Sequence, residues 1–161
     1  MSVDFGSTGN LSIAGVNYLT IDTAGRVLKP NQTAFGAMAG NAATAGQDII
    51  FGTVVFNIGN AYNSGNGRFT APVAGRYYLR FHQLAPNADV GEYRTALYVN
   101  GGGYAGSRFI TVKPANAWWS LIAEGHLSLN AGDYATIRFE QGSSAMYTDG
   151  NYAQFSGHLI G

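Results

Sequence analysis

The chain contains no cysteine, which excludes disulfides, thiolate zinc sites and a cysteine nucleophile. It is also poor in charge. Charged residues make up 11% of its 161 positions, against roughly 25% in an average globular protein. Nine basic side chains balance nine acidic ones, and no basic run exists to attract a nucleic acid. A surface this short of charge is expected to be partly covered by assembly. No apolar stretch approaches the ~20 residues of a membrane span. The opening MSVDFGSTGN has no basic or apolar segment of a secretory signal, so synthesis in the cytoplasm, without export by the standard route, is expected. Helical signals are scarce. Only residues 30–45, with their alanines, could be argued as helix, and Gly36, Gly40, Thr33 and Thr44 weaken that reading.

What is present points to strands. Aromatic residues reach 13%, and the 23 glycines show no Gly-X-Y period, so they mark turns and not collagen. Period-two alternation is clearest over 117–130, where Trp119, Leu121, Ala123, Leu127 and Leu129 share one face and Ile122 is the exception on the other. The turn Asn130-Ala131-Gly132-Asp133 leads to 134–140, expected as the partner strand, with Ala135, Ile137 and Phe139 inward. Residues 75–84 alternate likewise, with Tyr77, Leu79 and Phe81 on the core side. Further strands are expected at 49–56, 93–99, 107–112 and 154–160. Frequent short strands between Gly/Asn turns read as an all-β sandwich.

The length suits one such domain. It is expected over 33–161, after an N-terminal arm or attachment segment, 1–32, that carries a short hairpin from 16–22 through Ala24-Gly25 into 26–28. Asn10-Leu11-Ser12 and Asn31-Gln32-Thr33 match glycosylation acceptors by chance, given the missing signal.

Catalytic and metal motifs are missing. His82, His126 and His158 form no metal spacing and fall on strand faces opposite the core. No G-x-S-x-G elbow supports a serine triad. Gly101-Gly102-Gly103 follows Asn100 inside a hairpin, which argues against a phosphate cradle. The acidic pairs Asp89/Glu92 and Asp149/Glu140 are too sparse to demand calcium. No catalytic residue, metal site or cofactor is therefore expected, and the chain reads as a binding protein and not an enzyme. The polar, aromatic-bearing loop 141–152 is a candidate partner-binding element, with Met146, Tyr147, Asp149, Asn151 and Tyr152 as its contact residues. Residues 85–92 form a weaker candidate.

Between positions 51 and 81 the chain resembles the C1q domain signature. Phe51, Asn57, Tyr62, Phe69, Gly75, Tyr77, Leu79 and Phe81 keep every spacing, with Leu79 in place of the usual Phe as the one departure. Leu127-Ser128-Leu129 before Gly132-Asp133, and the closing FSGHLI, also resemble the family, over about 33–161. The resemblance implies a two-sheet antiparallel jelly-roll sandwich of the C1q/tumour-necrosis-factor type and a homotrimer. It further implies that Tyr78, Tyr98 and Trp118 lie against neighbouring subunits. Residues 21–35, IDTAGRVLKPNQTAF, resemble the lead-in to C1q-like domains of tailed-bacteriophage structural proteins. The expectation that follows is a virion protein: a trimeric capsid decoration or cement protein bound to other virion proteins, such as capsid or fibre proteins, through its arm. The alternatives are the receptor-binding head of a tail fibre, taking a host surface glycan or protein, and a soluble cytokine-like or lectin-like module. Neither nucleic acid nor membrane is an expected partner.

Overall fold

The computed structural model describes residues 9–13, 15–86, 90–143 and 145–161. The chain divides into two compact units, Met1–Gln32 and Thr33–Gly161. In the first, strands β1 (Gly9–Ile13), β2 (Val16–Ile21) and β3 (Val27–Leu28) pair antiparallel in that order. The turn before β3 is held by the Asp22 carboxylate, which accepts from the Ala24 and Arg26 N–H groups at 2.9 and 3.0 Å. The expected hairpin is present, and β1 joins it where the Gly/Ser/Asn-rich start gave no strand signal.

The second unit is a sandwich of two antiparallel sheets. One sheet runs in the order β13 (Trp119–Leu129), β9 (Gly75–Ala85), β15 (Ala153–Leu159), β4 (Ala34–Gly40), β6 (Phe51–Ile58). The other is built on β10 (Gly91–Val99) and β14 (Tyr134–Gln141). Beside β10 lie β11 (Gly102–Gly103) and β12 (Phe109–Lys113); beside β14 lie β5 (Gln47–Ile49) and β8 (Arg68–Thr70), and β7 (Tyr62–Asn63) pairs β8. Among the described residues there is no α-helix, only a 3-10 turn at Gly150–Tyr152. None of their helices is long and apolar enough to cross a membrane.

Inward side chains of both sheets form one core. Phe35, Phe51, Phe69, Tyr77, Leu79, Phe81, Leu97, Leu121, Leu127, Ile137, Phe139 and Phe155 are all fully buried. Its centre is aromatic: the Phe35 ring stacks on Tyr62 and Phe69 and takes Phe155 edge-on, with centroids 4.9–5.2 Å apart. Such contacts add about 0.5–1.5 kcal/mol per pair beyond area burial.

The 30–45 stretch, whose helical reading Gly36, Gly40, Thr33 and Thr44 already weakened, holds strand β4, with Phe35 and Ala37 buried and the strand paired to β15 and β6. Three expectations are corrected. Residues 134–140 are a strand but not the partner of β13. The 130–133 turn carries the chain from one sheet to the other, where β14 pairs β10. Trp119 opens β13 at the domain edge and is 38% exposed, so it is not a core residue. The 49–56 strand is two strands that part at Ile50, with β5 in one sheet and β6 in the other.

Candidate functional site

The loop from 142 to 152 is fixed to the sandwich by its backbone. Met146 N–H donates to the Ala43 carbonyl at 3.0 Å, and Tyr147 N–H to the Leu84 carbonyl at 3.1 Å. The Tyr147 carbonyl accepts from Nε2 of Gln83 at 2.7 Å, and Gln83 is itself fully buried in β9. Asp149 then caps the 3-10 turn, its Oδ1 accepting the Asn151 N–H at 3.0 Å. The Tyr152 N–H closes the turn on the Asp149 carbonyl at 3.0 Å.

On the other side, Asn116 takes a left-handed conformation, φ 54°, which Asn tolerates better than most residues. The chain turns there and presents Trp118 just before β13. The Trp118 and Tyr147 rings meet edge to face, centroids 4.7 Å apart and planes at 62°. Tyr147 and Tyr152 lie 6.4 Å apart at 47°. Together with Leu84 and Asp149 these three rings line an open cleft of about 350 Å³. Three aromatic side chains and one carboxylate can hold a small organic ligand by ring contact and by charge.

The structure thus unites residues that the sequence placed in separate roles. Tyr147, Asp149 and Tyr152 were expected in a partner loop and Trp118 at a subunit interface; all four share one cleft. Asn151 is exposed on the 3-10 turn beside it. Met146 is corrected: it is 2% exposed and belongs to the core, where it anchors the loop instead of standing on its surface. In the weaker candidate loop, residues 87–89, Asp89 among them, lie outside the described residues.

The other two expected interface residues sit on different sheets. Tyr78, on β9, donates its hydroxyl to Glu124 at 2.9 Å and lies 5.1 and 5.9 Å from the His126 and His158 rings. Burial, then the Glu124 hydrogen bond, pushes the Tyr78 phenol above its ordinary range. His82, on the same strand, has its pKa lowered by burial and then by Arg80. Tyr98, on β10, donates to Glu140 at 2.9 Å beneath the Arg138 guanidinium, 4.7 Å from its ring centre. Arg108 grips the same Glu140 with two bonds of 2.5 and 2.7 Å, and holds its carboxyl below the usual carboxylate range.

A groove of about 380 Å³ runs beside Tyr78, lined by Phe56, Arg80, Ser156 and His158. Next to it, β6 exposes Val54, Val55, Phe56 and Ile58, each at least 40% accessible. The sequence reading did not single these out as surface, although the unbroken Val54-Val55-Phe56 run departs from the alternation of a half-buried strand. Among the described residues no three His, Cys, Asp or Glu side chains converge as a metal site would require.

A model of the C1q domain matches residues 34–160. The chain is 32% identical over 131 residues to the human and, over 133 residues, to the mouse complement C1q tumor necrosis factor-related protein 3, covering 80% of this chain and 51% of each relative. It therefore spans about half the length of these curated relatives. Among solved structures, the globular domain of zebrafish complement 1qA superposes with a TM-score of 0.64 at 21% identity, covering 81% of this chain and 98% of that one. Murine APRIL at pH 5.0 gives 0.64 at 15% identity, covering 80% and 99%. Identities this low speak to the fold alone, and the fold is the C1q/tumour-necrosis-factor jelly roll.

Proposed function

The chain belongs to the C1q domain family, with 34–160 as the matching segment, and from that premise we propose that it is a non-enzymatic binding head that works as a homotrimer. The observation that carries this reading is the apolar margin of the five-stranded sheet. Val54, Val55, Phe56 and Ile58 stand exposed on an edge strand beside the Tyr78 groove. An exposed edge that is also apolar is a site of association unless a partner covers it. Low overall charge makes the same surface inexpensive to desolvate. Light scattering is expected to give three times the 17.0 kDa chain mass. Phe56→Asp together with Val55→Asp is expected to shift the protein to monomer, since each carboxylate would be buried without a partner. A wild-type monomer at micromolar concentration would remove the reading.

For its setting we propose the virion of a tailed bacteriophage, with the head as a capsid decoration or cement protein held through residues 1–32. The support is the IDTAGRVLKPNQTAF stretch, and a shell held by three arms at once gains from multivalency. Mass spectrometry of purified particles tests it: hundreds of copies fit decoration, a few copies a tail-fibre head, and absence neither. Two observations keep further readings open. The aromatic cleft favours a receptor-binding head on a fibre. The resemblance to tumour-necrosis-factor-related chains favours a soluble cytokine-like module, for which binding to animal cells and absence from particles is the expected result.

A further inference from the structure

We propose that the cleft of Trp118, Tyr147, Tyr152 and Asp149 binds a compact quaternary ammonium cation, the trimethylammonium group carried by choline and its derivatives. Three features of the site converge on this class.

The first is ring geometry. A saccharide stacks its apolar face flat on one open ring. Here the planes are inclined by 62° between Trp118 and Tyr147 and by 47° between Tyr147 and Tyr152. Neighbouring rings are steeply inclined to one another and form no single flat platform. A roughly spherical cation can touch several inclined faces at once, and each face attracts it through the ring quadrupole. Trp and Tyr are the better aromatic partners for a cation.

The second is charge. Asp149 is the one ionisable carboxylate lining the cleft. Its Oδ1 is taken by the Asn151 N–H at 3.0 Å, while the other oxygen has no hydrogen bond among the described residues. The turn thus fixes a countercharge at the rim, and a cationic ligand does not have to supply the order.

The third is the shortage of acceptors. A primary ammonium or a guanidinium brings three or five N–H donors, and each left unpaired in the cleft would cost free energy. The lining side chains provide one carboxylate and the two phenol oxygens of Tyr147 and Tyr152, beside Leu84 and the Trp118 indole, too few acceptors for so many donors. A quaternary ammonium has no donors, so it leaves water with nothing unsatisfied. A cleft of about 350 Å³ stands near the small end of ligand sites, which run from roughly 300 to 1,000 Å³.

The inference rests on the reading of the chain as a binding head and names its ligand class, but it does not need the trimer. A monomer by light scattering would remove the assembly and leave the ligand test intact.

The test is a calorimetric titration of the full-length protein, in its native oligomeric state, with choline. Trp fluorescence of the Trp119→Phe protein follows in parallel, because Trp118 is then the sole indole. Saturable binding at roughly millimolar Kd or tighter is expected. The neutral isostere 3,3-dimethylbutan-1-ol should bind at least about tenfold more weakly, since it keeps the shape and loses the charge. Trp118→Ala and Tyr152→Ala should each weaken choline about tenfold, and Trp118→Phe less. Asp149→Asn keeps the cap of the 3-10 turn and should weaken binding several-fold. Far-ultraviolet circular dichroism unchanged from wild type establishes that each variant is folded. Trimethyl-lysine binding as well as choline would place the ligand on protein, and choline alone on lipid or glycan headgroups; both support the proposal. Equal binding of the neutral isostere, binding of glucose or N-acetylglucosamine in place of choline, or no effect of Trp118→Ala in a folded protein would each overturn it.

Discussion

At the residue scale, the spaced signature is a set of contacts that fix one loop to two sheets. The Asn57 amide pairs with the backbone of Tyr62 on both sides, Nδ2 donating to its carbonyl at 2.9 Å and Oδ1 accepting its N–H at 3.1 Å. The Tyr62 hydroxyl then does the same for Phe51, donating to its carbonyl and accepting its N–H, both at 3.1 Å. Tyr77 donates to the Val73 carbonyl at 2.8 Å, and Gly75 lets the closing segment approach closely, since a Cβ there would stand 2.8 Å from Leu159 Cδ1 and 3.2 Å from the Gly161 carbonyl oxygen. The spacing of Phe51, Asn57, Tyr62 and Tyr77 is therefore a hydrogen-bonding requirement as much as an apolar one. Tyr62→Phe removes both bonds to Phe51 and should cost about 2–4 kcal/mol, read from urea denaturation midpoints. Burial pushes the Tyr62 phenol up to about 12. Its folded pKa lies above the unfolded value of 10.0, so its stabilising share is whole below pH 10 and is lost as pH rises through 12. Ultraviolet difference titration should find one tyrosine ionising only near that upper limit, and Tyr62→Phe should abolish that step.

At the element scale, neighbouring strands in sequence are often not neighbours in a sheet. β15 lies between β9 and β4, and its Gly157 faces Leu79 on one side and Phe35 on the other. A Cβ at Gly157 would fall 2.2 Å from Leu79 Cδ2 and 2.8 Å from the Tyr78 carbonyl. Both are fixed inside the sheet, so Gly157→Ala should destabilise the domain by about 1–3 kcal/mol or more, measured by thermal or urea unfolding. The β10–β11 hairpin turns through Asn100 and Gly101, φ 50° and 82°, the two left-handed positions of a tight type I′ turn. Gly101→Ala places a Cβ in that region and should cost about 1 kcal/mol. On β9, His82 has a folded pKa below 6.5 through burial and then Arg80. The unfolded chain takes up the proton first as pH falls. The contribution is complete above pH 6.5 and declines below it toward the folded pKa. Stability at pH 5.5 should be lower than at pH 7.5, and His82→Gln should flatten that part of the profile.

At the scale of the whole molecule, the fold is closed by distant pairings: Phe35 of β4 lies beside Gly157 of β15. Loop closure must precede such contacts, so refolding in milliseconds to seconds is expected by stopped-flow fluorescence. The sandwich core is drawn wholly from Thr33–Gly161, so the chain without its first 32 residues should still fold cooperatively in urea or thermal unfolding. The same deletion should abolish attachment to a particle if those residues are the anchor.

The sequence by itself determined the inward faces of β9, β14 and, Trp119 apart, β13, because a strand's two-residue period sorts side chains before any partner is known. The jelly roll was legible through resemblance, in eight spaced positions from Phe51 to Phe81 that match the C1q signature. Only the tertiary structure decided which strand stands beside which. Periodicity is a property of one strand and says nothing about its neighbour, so β14 read as the partner of β13 when the chain had crossed to the other sheet. The same holds for the cleft. Trp118, Tyr147, Asp149 and Tyr152 come from two loops some thirty residues apart, and what joins them is the anchoring of Met146 in the core and of Tyr147 on Leu84 and Gln83.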